Sequence, residues 1–150
     1  MQFYVDTSVW GGVGDNEFSL WTIPFFEQVR NGLFSIIISD LTLRELSKAP
    51  EYIKNLPTTI PPQYLEIVKI NEEIITLSES YLKEGVLNPK FQSDAQHIAV
   101  ATIMKADSLI SWNFKHMVNF FRIRQYNSIN LKYGYSVIDI RTPKEVIYEK

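Results

Sequence analysis

Four short apolar runs punctuate the chain: Phe3-Tyr4-Val5, residues 34–38, Leu109-Ile110 and Val137-Ile138. None alternates with polar residues, so each reads as a strand covered on both faces. The segments between them carry helical spacing instead. Phe18, Trp21, Phe25, Phe26 and Val29 recur at intervals of three and four and predict a helix over 17–31, stopped at Asn31-Gly32. Ser39 or Asp40 caps a helix running to about Lys48. Short helices are expected at 51–56 and 62–67, separated by the break from Pro57 to Pro62. Asn71 caps a longer helix with Ile74, Ile75, Leu77 and Leu82 on its apolar side and Gly85 at its end. Ser93 is the expected cap of a helix over 94–105, whose buried stripe is Ala95, Ile98, Ala99 and Thr102. A last helix is read from Phe114 to about Tyr126, and the stretch 127–135 receives no assignment.

Strands that alternate with helices, each apolar on both faces, imply an α/β fold: a three-layer sandwich around a central, mostly parallel sheet. The length of 150 residues fits one domain over 1–150. Open parallel sheets bind ligands beyond the C-terminal ends of their strands. Asp6 directly follows the first run. Glu45 lies about one turn into the helix after the second. Asp94 opens the helix that leads to the third, and Asn113 follows it. Topology therefore brings four polar residues, three of them carboxylates, to one edge of one sheet. Like charges gathered in this way call for a cation between them, and hard carboxylate oxygens favour Mg2+ or Mn2+. Carboxylates around such an ion point to phosphodiester hydrolysis.

Each residue also has a plainer role. Asp6 can serve as a turn residue bonded to nearby backbone N–H groups, and Ser8 can cap the turn or join the site through a water. Glu45 fits a capping box with Thr42, unless the helix starts at Ser39 or Asp40 and leaves Glu45 inside it. Asp94 benefits from the helix dipole. His97, three residues on, is read as structural, holding a neighbouring carboxylate. Asn113 offers a neutral oxygen to a metal, or an N-cap. Asp107 precedes its strand and belongs at the opposite edge; Asp15 and Glu17 read as solvated loop acids. Gly11-Gly12-Val13-Gly14 has neither the Lys-Ser/Thr ending of a P-loop nor dinucleotide-turn spacing, and is expected to be a flexible loop near the site. The position two residues after Asp6 is Ser8, not the second acid of a haloacid-dehalogenase-type phosphatase, and no nucleophile elbow appears.

Composition narrows the class. No apolar run approaches the roughly 20 residues of a membrane span, and the opening MQFYVDTSVW lacks the pattern of a signal peptide. The chain has no cysteine, in keeping with a reducing cytoplasm. A net charge of −2 does not mark a nucleic-acid binder. Its distribution is more telling: Ser108 to Ile138 contains no acid but holds Lys115, Arg122, Arg124 and Lys132, with His116 beside them. This local excess of +4 is either a phosphate-facing patch or a solvated helix face.

Val5-Asp6-Thr7-Ser8, Glu45, Asp94-Ala95-Gln96-His97-Ile98-Ala99 and Leu109-Ile110-Ser111-Trp112-Asn113, in this order, resemble the PIN domain over nearly the whole chain. Ser111-Trp112-Asn113-Phe114-Lys115-His116 resembles the subgroup with Trp-Asn at the fourth acidic position. The resemblance implies an α/β nuclease that cuts single-stranded RNA with Mg2+ or Mn2+ held by acids, similar to VapC toxins of toxin–antitoxin pairs. It maps the first three acids onto Asp6, Glu45 and Asp94, with Asn113 assisting where many PIN domains have a fourth acid. That departure weakens a second metal site more than the first. Lys115, His116, Arg122 and Arg124 become candidates to hold the RNA backbone, and Trp10 a candidate to stack a base, with Trp112 better suited to the core. An antitoxin and a homodimer are partners implied by analogy; a membrane is not. The alternative function is a catalytically weakened PIN-fold protein that binds RNA or a partner. A small-molecule metal phosphatase is a further alternative.

Overall fold

The computed structural model describes residues 1–149. In chain order it contains β1 (Gln2–Val5), α1 (Thr7–Gly12), α2 (Ser19–Arg30), β2 (Ser35–Ser39), α3 (Asp40–Leu46), α4 (Glu51–Lys54), β3 (Leu65–Val68), α5 (Glu72–Lys83), α6 (Gln92–Ile103), β4 (Ser108–Ile110), α7 (Phe120–Lys132), β5 (Ile140–Arg141) and α8 (Pro143–Val146). The five strands form one sheet in the order β3-β2-β1-β4-β5, and every pairing is parallel. Alternate residues of the strands feed two cores. Tyr4, Ile37 and Leu109 face α5, α6 and α7. Phe3, Val5, Ile36, Ile38 and Ile110 face α1 and α2. This is the three-layer α/β arrangement expected from uninterrupted apolar strands.

The chain runs outward from β1 through β2 to β3, then returns to the other side of β1 with β4. The crevice beyond the C-terminal ends of β1 and β4 is therefore the topological switch point, the preferred ligand position in such sheets.

Local chemistry sets the helix ends. Ser39 caps α3 through a reciprocal capping box with Thr42, which leaves Glu45 inside the helix. Asn71 caps α5 by accepting from the Ile74 N–H at 3.0 Å.

Six expectations are corrected by packing. The Gly11–Gly14 segment is not a flexible loop: residues 7–12 form α1, and Gly12 is buried where an added Cβ would lie 2.8 Å from Thr22 Oγ1 and 2.9 Å from Trp112 Nε1. The second half of the expected 62–67 helix is the edge strand β3, reached after a single 3-10 turn at Pro62–Tyr64; ladder bonds to β2 outweigh a weak local helical preference. Val137-Ile138 is not a strand. The Asn127 side chain takes the Ile138 N–H at 2.7 Å and donates to its carbonyl at 2.9 Å, in place of a neighbouring strand, and pairing begins at Ile140. The helix expected at 114–126 starts only at Phe120, capped by Asn119, and absorbs most of the unassigned 127–135 stretch. Ser93 does not cap α6, which begins at Gln92 after Phe91. Finally, α6 is buried on nearly all sides rather than along one stripe: His97, Val100 and Ala101 are covered too.

Candidate functional site

Asp6 follows β1 at the N-cap position of α1, yet its side chain makes no capping bond. Its Oδ2 instead accepts from Ser8 Oγ at 2.8 Å and Ser111 Oγ at 2.7 Å. The backbone fixes it as well, since the Asp6 N–H donates to the Ile110 carbonyl at 3.0 Å. The carboxylate is almost fully buried, and Oδ1 has no hydrogen-bond partner among the described residues. Ser111 is the functional side chain that sequence reading passed over. Its signal was available: a polar residue directly after an apolar strand, as Asp6 is, each following one of the paired residues Val5 and Ile110.

Glu45 projects from α3 toward α6. Its Oε1 accepts from Thr7 Oγ1 at 2.8 Å and meets His97 Nε2 at 2.6 Å. The other ring nitrogen of His97 lies 2.7 Å from the Tyr4 hydroxyl, which in turn lies 2.9 Å from Ser39 Oγ. His97 Nε2 is also 3.9 Å from Asp6 Oδ1. A buried chain of polar groups thus joins β2, β1, α6 and α3, and His97 holds Glu45 as expected. Burial alone would lower the His97 pKa. Contact with Tyr4, the Glu45 hydrogen bond and the charges of Asp6 and Glu45 outweigh it and hold the imidazole well above its ordinary range. Partial burial pushes Glu45 up, but His97, Thr7 and Arg44 prevail and lower its pKa.

Asp94 occupies the first turn of α6. Its Oδ2 meets His116 Nδ1 at 2.7 Å and the Asn113 amide at 3.5 Å, while Oδ1 has no hydrogen-bond partner among the described residues. Burial and the negative charge of Asp6 raise the Asp94 pKa against the opposing pull of His116. The charge of Asp6 hinders the ionisation of Asp94, and each carboxylate keeps a free oxygen, an electrostatic setting suited to a cation. Among the described residues no three acids or histidines are close enough to ligate one ion directly.

Asn113 lies beside Asp94, but its carbonyl oxygen is taken by the N–H groups of Lys115 at 3.2 Å and His116 at 2.9 Å. It shapes the turn and points its amide at Asp94, so its oxygen is not free for a metal. His116 is buried against Asp94 and Phe91, not displayed to a strand of RNA. Arg122 donates to the Val86 carbonyl. Arg124 lies over the Phe120 ring at 5.6 Å, beside a groove lined by Asp139, Arg141 and Glu145. Lys132 pairs with Glu84 at 3.0 Å. Lys115 remains exposed next to the site. Trp10 is fully buried and stacks on Phe26 at 4.4 Å, so it cannot receive a base. Trp112 is a core residue, stacked on Phe18 at 4.3 Å and bonded to Thr22 at 2.9 Å. Asp15 is used in its own loop, accepting from the N–H groups of Glu17 and Phe18. Asp107 accepts from the Gln2 N–H at the opposite end of the sheet.

The sheet order, the covering helices and the position of the crevice define a PIN-type fold. Solved toxin–antitoxin structures share it. VapC20 from Mycobacterium tuberculosis, a sarcin-ricin loop cleaving toxin, matches with a TM-score of 0.60 and 12% identity over 75% of this chain and 91% of that one. A chain of VapBC2 from Rickettsia felis, solved with a promoter DNA fragment, gives 0.57 and 17% identity over 95% and 98%. FitAcB from Neisseria gonorrhoeae gives 0.60 and 11% over 96% and 99%. No protein-family model and no curated protein sequence matches the chain. At these identities the shared property is the fold. No helix among the described residues is long and apolar enough to cross a membrane.

Proposed function

We propose that the protein is a metal-dependent endoribonuclease acting on single-stranded RNA, and the toxin of a toxin–antitoxin pair. One observation supports this reading: Asp6 after β1 and Asp94 in α6 act on each other electrostatically and each keeps one oxygen free, with Glu45 linked to Asp6 through His97. The fold shared with toxin–antitoxin proteins supports the nuclease class and an antitoxin partner. A homodimer rests on the same analogy.

Asp6 and Asp94 would hold Mg2+ or Mn2+ through their free oxygens, with Glu45 beside them and water completing the shell, as suits an ion that keeps several waters and takes one or two carboxylates. When bound, the ion lowers the pKa of a coordinated water and neutralises charge on the scissile phosphate. Ser8 and Ser111 aim the Asp6 carboxylate. His97 and Thr7 fix Glu45, and His116 and Asn113 fix Asp94. Each acid is thus oriented by two donors before substrate arrives, the preorganisation that a metal site needs.

The alternative, a binding protein with a weakened site, is favoured by Asn113, whose oxygen is committed to a turn. One experiment separates the two readings. Cleavage of a varied single-stranded RNA pool is measured with Mn2+ and with Mg2+, for wild type and Asp94→Asn purified identically. Metal-dependent products that disappear in the variant are expected. Equal products from both proteins refute the site assignment. RNA binding by wild type with no cleavage selects the binding protein.

A further inference from the structure

Beside the Asp94–His116 pair lies a group of residues that the proposed chemistry does not use. The Phe91 ring packs on the His116 ring with centroids 4.1 Å apart. Two lysines reach over that same Phe91 ring, Lys90 with its Nζ 5.1 Å from the centroid and Lys115 at 5.9 Å. They come from different segments, Lys90 from the turn that leads into α6 and Lys115 from the turn after β4. Both turns are pinned. Asn88 Oδ1 accepts from the Lys90 N–H at 3.0 Å, and Asn113 Oδ1 accepts from the Lys115 N–H at 3.2 Å. Both side chains are exposed, and among the described residues neither forms an ion pair with a carboxylate.

Two ammonium groups drawn to one ring repel each other. Cation–π attraction at an exposed site is worth only about 0.5–1 kcal/mol and offsets this in part. An anion between them removes the repulsion. Neither lysine pairs with a carboxylate among the described residues, so the place is open to an anion from outside. A strand whose scissile phosphate lies at Asp6 and Asp94 carries its next phosphates along the same surface. From Asp94 the path runs 2.7 Å to His116 and then one ring contact to Phe91.

We infer that Lys90 and Lys115, set by the Phe91 ring, form a clamp for one backbone phosphate of the RNA strand next to the phosphate being cut. The clamp rests on the ribonuclease reading and adds to it the residues that register the strand. It explains how a chain of net charge −2 holds a polyanion: the cations need only be concentrated where the strand passes. Lys90 and Phe91 carry no motif signal and become visible only when the turn before α6 folds against the turn after β4.

The test compares wild type with Lys90→Gln/Lys115→Gln. RNA affinity is measured by fluorescence anisotropy over a salt series without divalent ion, and kcat and KM are measured with Mn2+. Loss of one phosphate contact lowers the magnitude of the slope of log affinity against log salt by about 0.7 for a single strand. KM should rise several-fold with kcat unchanged, and Lys90→Arg/Lys115→Arg should restore both KM and slope. Lys105→Gln, at the far end of α6, removes the same kind of charge and should leave the slope as in wild type. An unchanged slope and KM in a double variant that still binds or cuts RNA overturns the clamp alone. The same slope loss in Lys105→Gln, or a fall in kcat without a change in KM, also overturns it. A wild type that neither binds nor cuts RNA refutes the ribonuclease reading and the clamp together.

Discussion

His97→Ala tests whether the imidazole is the tie between the sheet and the acids. The side chain is 1% exposed. It bonds the Tyr4 hydroxyl at 2.7 Å and Glu45 at 2.6 Å. A neutral hydrogen bond contributes about 1 kcal/mol and one to a charged group about 1.5–3 kcal/mol. Glu45 is 35% exposed, so water partly rehydrates it and the lower figure applies. Lost packing around the removed ring adds about 1 kcal/mol. The variant should therefore lose about 3–4 kcal/mol, a large part of the roughly 5–15 kcal/mol of an ordinary domain. At about 2–4 °C per kcal/mol for a chain of this size, Tm should fall by about 10 °C. Urea unfolding of the metal-free protein, followed by tryptophan fluorescence, measures this directly. The pH dependence gives an independent check. Because the folded state holds the His97 pKa above its ordinary value of 6.5, its protonated form contributes stability that is fully present below that value. This contribution is lost as pH rises through the folded pKa. The gap between wild type and His97→Ala should narrow in the same direction. A loss under about 1 kcal/mol at pH 7 would refute the reasoning, since it would mean that water replaces the imidazole without cost. So would a gap that widens as pH rises.

Further outcomes follow from Asp94 and from α1. Asp94 is held above its ordinary pKa of 3.8 by burial and by Asp6, so its ionised form costs stability above the folded pKa and costs nothing below the unfolded one. Asp94→Asn should therefore raise Tm of the metal-free protein at pH 7, with the gain fading toward pH 3.8. Mn2+ at a hundredfold excess over its Kd should stabilise wild type by about 2.7 kcal/mol and leave the variant unmoved, and an equal Mn2+ response in thermal melts would refute the ligand assignment. At α1, Gly12→Ala forces a Cβ against Thr22 and Trp112 at under 3 Å and should cost about 1–3 kcal/mol. Gly11→Ala, with nothing within 4 Å, should stabilise the helix by about 0.5–1 kcal/mol. Equal effects of the two substitutions in urea unfolding would show that residues 7–12 are not the packed helix described.

What the sequence determined by itself was the layer plan and where along it the candidate acids fall. Three of the four uninterrupted apolar runs are strands covered on both sides, and a residue directly after such a strand lies at its C-terminal end. Asp6, Glu45 and Asp94 could therefore be assigned to one edge from local pattern and topology alone. Ser39 or Asp40 likewise announced the helix that carries Glu45, and the structure gives the cap to Ser39 through Thr42. Tertiary structure decided everything that depends on a partner distant in sequence. Trp10 looks available beside Asp6, yet it is fully buried in the core and stacked on Phe26. The glycines of 11–14 look mobile until Thr22 and Trp112 close on Gly12. Val137-Ile138 has strand composition, but Asn127 satisfies the Ile138 backbone before a ladder can form. Above all, the state of each acid is tertiary. Asp6 receives a hydroxyl from 105 positions away, Glu45 an imidazole from 52 and Asp94 an imidazole from 22. Local pattern specifies backbone direction because that depends on neighbours along the chain. The charge and orientation of a buried carboxylate depend on whichever donors folding brings within 3 Å, and those are fixed only when the sheet and both helical layers close.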